Sequence, residues 1–188
     1  MKLQNITFKY GEKTVLENFS AEIPENSFTA VLGKSGTGKT TLIKVITGLK
    51  KPVQGKIIHD KKEKFSVVFQ EDRLLPFKTV QENIMLTGAS EEKALEYLKK
   101  VGLENERNSY PEALSGGMKR RVATARALAC PDYTFLILDE PFTGQDDTTR
   151  KSLIELIKKE AKNKTAVMIT HSEEDADILC DNVIRLPD

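Results

Sequence analysis

Residues 27–48 read SFTAVLGKSGTGKTTLIKVITG: an apolar run, a glycine-rich turn and a helix-forming run in immediate succession. The first seven residues are short, continuous and apolar, as expected of a strand covered on both faces. KTTLIKVITG predicts a helix that ends at Gly48. Between them, residues 33–40 read GKSGTGKT and fit GxxxxGK[ST]. At ordinary residue frequencies such a match arises by chance in well under about one in fifty chains of this size. Glycines at these spacings let successive backbone N–H groups turn inward, and a helix N-terminus adds its partial positive charge, so the stretch forms an anion nest. Gly33, Lys34, Ser35, Gly36, Thr37, Gly38, Lys39, Thr40 and Thr41 are thus expected around the phosphates of a nucleoside triphosphate. Lys39 reaches the β- and γ-phosphates, and the Thr40 hydroxyl reaches Mg²⁺.

Outward from this unit the same alternation continues. KFSVVFQ (64–70), YTFLILDE (133–140) and TAVMITH (165–171) are further strand candidates. Between the last two, a helix over 147–162 places Leu153, Leu156, Ile157 and Ala161 on one stripe. Alternating strands and helices predict an α/β core with a parallel sheet. QNITFKY (4–10) and LENFSAEI (16–23) predict antiparallel strands beside it. The stretch 71–114 has no strand pattern. Its segment SEEKALEYLKKVGL puts Ala94, Leu95, Leu98 and Val101 at helical spacing behind Ser90 as cap, which predicts a small helical insertion. The expectation is one domain over 1–188, with the helical part at about 71–114.

Composition narrows the classes. A chain of 188 residues, 39% hydrophobic and 30% charged, reads as globular. A formal net charge of +1 gives no case for a nucleic-acid partner. No apolar run is long enough to span a bilayer, and the start lacks the apolar core of a secretory signal. Cys130 and Cys180 lie far apart and read as two reduced thiols.

Polar residues close the predicted strands. Asp139 ends FLILD, where α/β sheets bind ligands, and is the candidate second contact of Mg²⁺. Glu140 follows with its side chain directed differently, as strand neighbours must be, and is the candidate general base for an attacking water. His171 ends another strand and can hold γ-phosphate and water in line. Gln70 ends a third, and its uncharged amide can reach Mg²⁺ or the water. A second glycine pair occurs in LSGGM (114–118). Ser115 can donate a hydroxyl hydrogen bond, and Gly116 and Gly117 open backbone N–H groups at the start of the helix MKRRVATARALA. Lys119, Arg120 and Arg121 read as a solvated or partner-facing surface of that helix.

The order GKSGTGKT, VVFQ, LSGGM, FLILDEP and ITH resembles the nucleotide-binding subunit of ATP-binding cassette (ABC) transporters, over nearly the whole chain. The resemblance implies a P-loop NTPase core with an antiparallel β subdomain and a helical subdomain. It implies ATP hydrolysis with Mg²⁺, and a head-to-tail dimer in which LSGG caps the γ-phosphate held by the opposite subunit. It also implies stacking of adenine on Tyr10, which needs no base-specific hydrogen bond. The implied partners are a second such subunit and an integral membrane permease at the cytoplasmic face of the membrane. EDRLLPFKTVQENI (71–84) is similar to the loop of nitrate, sulfonate and taurine importers that receives a permease helix, which adds an extracytoplasmic solute-binding protein. Leu74, Leu75, Pro76 and Phe77 are expected to be exposed there until a partner covers them. Two departures stand out: TGQD (143–146) where SALD is common, and arginine at 120 where glutamine is usual. The chain stops soon after His171, so no regulatory domain is expected beyond it. A cassette ATPase acting on DNA or ribosomes usually has a long coiled-coil insertion or two cassettes. A small P-loop kinase would not explain LSGG, Gln70 and His171 in this order.

Overall fold

Local signals set the helices before packing is considered. Thr79 and Glu82 form a reciprocal capping box, and Ser90, Ser115, Asp146 and Ser172 each accept a backbone N–H at a helix start. The computed structural model describes residues 1–34, 36–59 and 62–186. Along the chain lie β1 (Lys2–Tyr10), β2 (Lys13–Glu22), β3 (Phe28–Leu32), α1 (Lys39–Ile46), β4 (Gln54–Ile58) and β5 (Phe65–Val68). Then follow α2 (Val80–Met85), α3 (Glu91–Lys100), α4 (Gly116–Ala129), β6 (Phe135–Asp139), α5 (Asp147–Glu160), β7 (Thr165–Thr170), α6 (Glu173–Leu179) and β8 (Asn182–Arg185). The elements β4, α2, α6 and β8 go beyond the sequence reading.

Two sheets form. One is antiparallel, in the order β2-β1-β4; the other is parallel, in the order β5-β6-β7-β3-β8. Register in the parallel sheet sets Leu32 beside Thr170, Ile169 beside Asp139, and Leu138 beside Val68. The residues after those strand ends therefore meet along one edge of the sheet.

The strands β3, β6 and β7 are buried along their whole length because each face of the parallel sheet has its own cover. Phe135, Ile137, Val167 and Ile169 pack toward α1 and the antiparallel sheet, with Leu42, Ile43, Ile6 and Leu16. Leu136, Leu138, Ala166 and Met168 face the helices, with Leu98, Val122, Leu153 and Ile157. This alternation is the period of two that a strand imposes.

The helix stripes are shifted from their expected composition. On α5 Ile154 is buried and Leu156 only partly so, while Leu153, Ile157 and Ala161 are buried. On α3 Tyr97 is buried and Leu95 half-buried. Tyr97 is tolerated inside because its hydroxyl donates to Glu160 Oε2 at 2.6 Å. Helix α4 packs on α2, α3 and β5, so the helical layer continues past residue 114. Cys130 and Cys180 are free thiols, and burial pushes the Cys180 thiol up to about 12. Among the described residues, no helix is long and apolar enough to cross a membrane.

Candidate nucleotide site

The turn from β3 to α1 holds the glycine-rich loop. Gly38 closes it in the left-handed region, at φ 96°, and a methyl there would lie 2.9 Å from Val15 Cγ1. Only glycine meets both conditions. Lys39 folds back so that its ammonium donates to the carbonyls of Gly33 and Lys34, at 2.5 and 2.7 Å. Thr37 Oγ1 donates to the Lys34 carbonyl at 3.0 Å. Ser35, expected in this loop, lies outside the described residues.

The strand-end residues converge on this loop. Thr40 Oγ1 donates to Asp139 Oδ2 at 3.2 Å. Asp139 is buried; burial raises the pKa of its carboxyl, and the Thr40 hydrogen bond pulls the other way. Glu140 is turned away from it. The Glu140 amide donates to the Ile169 carbonyl at 2.9 Å, and its Oε1 lies 2.9 Å from His171 Nδ1. The His171 side chain is 75% exposed, so one face of the ring remains open to a ligand. Gln70 joins them from the far strand. A cavity of about 1150 Å³ is lined by Tyr10, Gly36, Thr37, Gly38, Lys39, Thr40, Thr41, Gln70, Arg120, Asp139, Glu140, Thr143 and His171. Tyr10 is half-exposed at its edge, braced edge-on by Phe8 with ring centroids 5.0 Å apart.

The donor set suits a hard divalent cation. Thr40 hydroxyl, Asp139 carboxylate and Gln70 amide are oxygen ligands with a single charge among them. Mg²⁺ is commonly held this way, by one or two carboxylates together with substrate phosphates and water. Among the described residues no group of three or more His, Cys, Asp or Glu could hold a metal.

The second glycine pair does not reach this cavity: the described lining residues omit Ser115, Gly116 and Gly117. Ser115 caps α4, accepting from the Met118 amide at 3.2 Å, which leaves its own hydrogen to donate elsewhere. The TGQD stretch turns toward it. Gln145 Nε2 donates to the Gly117 carbonyl at 2.9 Å, and Asp146 caps α5 through the Thr149 amide. The departure at 145 thus ties two loops of the same chain.

The expectation for Arg120 is corrected. It is 6% exposed, its guanidinium donating to the Phe69 and Gln70 carbonyls rather than facing solvent. Reading three consecutive basic residues as one surface missed that helical neighbours point about 100° apart. The glutamine-to-arginine departure was the available signal. In 74–77, Leu74 packs against the core and Leu75 is half-buried, while Pro76 and Phe77 are exposed, Phe77 at 70%.

A glycine-rich loop with its lysine, backed by a strand-end aspartate and glutamate, defines a P-loop nucleoside-triphosphate site. Residues 16–143 match the family model for ABC transporters, described as "ABC transporter". An uncharacterized ABC transporter ATP-binding protein of Methanocaldococcus jannaschii is 40% identical, over 99% of this chain and 77% of its own. An aliphatic sulfonates import ATP-binding protein of Agrobacterium fabrum is 39% identical, over 96% of this chain and 68% of its own. Among solved structures, a dimeric bacterial ABC transporter cassette superposes with TM-score 0.90 at 33% identity, covering 98% of this chain and 93% of its own. A dimeric post-hydrolysis cassette bound to ADP and Pi gives 0.89, also at 33% identity, over 98% of this chain and 93% of its own. The chain belongs to the ABC transporter family, as an ATP-binding cassette with ATPase activity.

Proposed function

We propose that this cassette drives uptake of a small anionic nutrient, of the aliphatic sulfonate class, as a peripheral subunit at the cytoplasmic face of a membrane. The sulfonate-import relatives support the direction and the solute class. Its partners are an integral permease, docked over Phe77, and an extracytoplasmic solute-binding protein.

The site residues take the following parts. Gly33 to Thr41, including Ser35, cradle the triphosphate, with the Lys39 ammonium on the β- and γ-phosphates, and Tyr10 stacks on adenine. Thr40, Gln70 and Asp139 hold Mg²⁺, which neutralises phosphate charge when bound. Glu140 accepts the proton of the attacking water, and His171, hydrogen-bonded to it, holds that water and the γ-phosphate in line. Ser115, Gly116 and Gly117 serve the nucleotide of a second copy in a head-to-tail dimer.

The carrying observation is spatial: the cavity holds the hydrolytic residues of one chain without its LSGG stretch. Both dimeric cassette neighbours support a second copy as the missing wall. The test is light scattering of Glu140→Gln with ATP. That variant keeps binding and loses turnover, so ATP is expected to convert it to a stable dimer. A monomer with ATP bound would refute the composite site.

A further inference from the structure

The loop that carries Gln70 has no regular structure of its own between β5 and α2, yet two arginines of α4 hold its first half by the backbone. Arg120, one turn into α4, donates to those of Phe69 and Gln70. Arg126, farther along the helix, donates to those of Asp72 and Arg73 at 2.7 and 2.9 Å. Arg120 also lies 3.3 Å from Asp72 Oδ1, an ion-pair distance without hydrogen-bond geometry. Its side chain is 7% exposed against 21% for that of Asp72. A planar guanidinium can bridge two successive carbonyls in one fixed geometry; a glutamine amide or lysine ammonium cannot reproduce that fork.

Mere structural service would not explain the position. Arg120 borders the nucleotide cavity itself, beside Gln70 and Asp139. The same helix begins with Ser115, Gly116 and Gly117. A buried charge there is costly unless it is paired, and the carbonyls and Asp72 supply the pairing.

We propose that Arg120 is a positioning residue for ATP turnover. By gripping the carbonyls of Phe69 and Gln70, it fixes the backbone from which the Gln70 amide enters the cavity. It also binds that backbone to the helix whose first turn is offered to the other subunit. The proposal rests on the reading of Gln70 as a nucleotide-site residue.

The test must separate positioning from stability. Arg120→Met leaves the half-buried Asp72 carboxylate with only Arg126 and Lys119 as nearby positive charges and the Phe69 and Gln70 carbonyls without their donor, so a lower Tm is expected along with lower kcat. Adding Asp72→Asn removes the less compensated charge and is expected to return part of the Tm, the Phe69 and Gln70 carbonyls still lacking their donor. The kcat of the double variant should remain about tenfold or more below wild type, since misplacement by an ångström can cost as much as about 10²-fold. Its KM and its directly measured ATP Kd should stay near wild type. Arg120→Lys keeps the charge without the fork and should fall between. Recovery of kcat in step with Tm in the double variant would overturn the clamp. Gln70→Ala, assayed beside it, is expected to be comparably slow. A fully active Gln70→Ala would overturn the reading of Gln70 and the clamp together; a slow Gln70→Ala beside a fully active double variant would overturn the clamp alone.

Discussion

Two adjacent glycines allow a paired experiment with opposite expectations. A methyl at Gly117 would stand 2.6 Å from the Gly144 carbonyl oxygen and 3.4 Å from Gln145 Nε2, whereas one at Gly116 would meet nothing within 4 Å. Ordinary C···O contact begins near about 3.3 Å, so Gly117→Ala must move the two loops apart by about 0.7 Å. Such a shift stretches the 2.9 Å bond from Gln145 Nε2 to the Gly117 carbonyl beyond hydrogen-bond range. Overpacking costs about 1–3 kcal/mol and the lost hydrogen bond about 0.5–1.5, while alanine in a helix returns up to about 1. The net expectation is a loss of about 1–3 kcal/mol, or about 3–9 °C in Tm for a chain of this size. Gly116→Ala, with only the helix term, should be neutral or slightly more stable. Thermal and urea unfolding of the nucleotide-free protein read both. On the proposed composite site, ATPase assays should show both variants impaired: Gly117→Ala by displacing the LSGG turn, and Gly116→Ala because its methyl stands in open space at that turn. Equal stability of the two variants would refute the close approach of the LSGG and TGQD loops.

Other perturbations probe the partner surface and the junction between helical layer and core. Phe77→Ser removes the most exposed large hydrophobic residue among the described residues without touching the cavity, so basal ATPase should persist while co-purification with the permease is lost; unchanged binding would remove Phe77 from the docking surface. Glu160 accepts from Tyr97 at 2.6 Å and from Lys100 at 2.8 Å. Burial works against its carboxylate, but these hydrogen bonds prevail and hold its pKa below the ordinary value. Its stabilisation is therefore complete above the unfolded pKa of about 4.3 and lost as pH falls through the lower folded pKa. The Tm deficit of Glu160→Gln should be largest near neutrality and shrink toward acid; a deficit constant with pH would contradict the charged pairing.

The centre of the parallel sheet was legible because β3, β6 and β7 are covered on both faces and read as nearly unbroken apolar runs, and β5 reads the same way although it lies at an edge. Phe28–Leu32, Phe65–Val68, Phe135–Asp139 and Thr165–Thr170 all fall within the expected segments. Gln54–Ile58 and Asn182–Arg185 did not announce themselves, since edge strands such as these alternate or expose their side chains and resemble loops. The strand-end site was legible for a related reason. In a parallel sheet every strand delivers its C-terminal residue to the same rim, so polar residues after apolar runs must become neighbours. What escaped was lateral: Arg120 and Gln145 reach across to other loops, and no local period records a long side chain's destination. Phe77 and Leu74 were likewise indistinguishable as apolar loop residues until packing divided them.

The adjacent acids show how a backbone constraint becomes a division of labour. Glu140 has φ 50°, unusual for a residue other than glycine. Left-handed backbone costs on the order of 1–3 kcal/mol and persists only where the surroundings impose it. Here the Glu140 amide is held to the Ile169 carbonyl of the neighbouring strand, and Pro141 follows at once. Continued as regular strand, residue 140 would fall beside Thr170, the residue before His171, in the parallel register. The turn instead sends its carboxylate to the imidazole, while Asp139, still in the strand, stays buried against Thr40. One carboxylate thus lies in a dry niche beside a hydroxyl, suited to a cation, and the other reaches a side chain open to solvent, suited to water. The left-handed turn at Glu140 completes that separation by setting its carboxylate on the His171 ring, while Asp139 keeps its place in the strand.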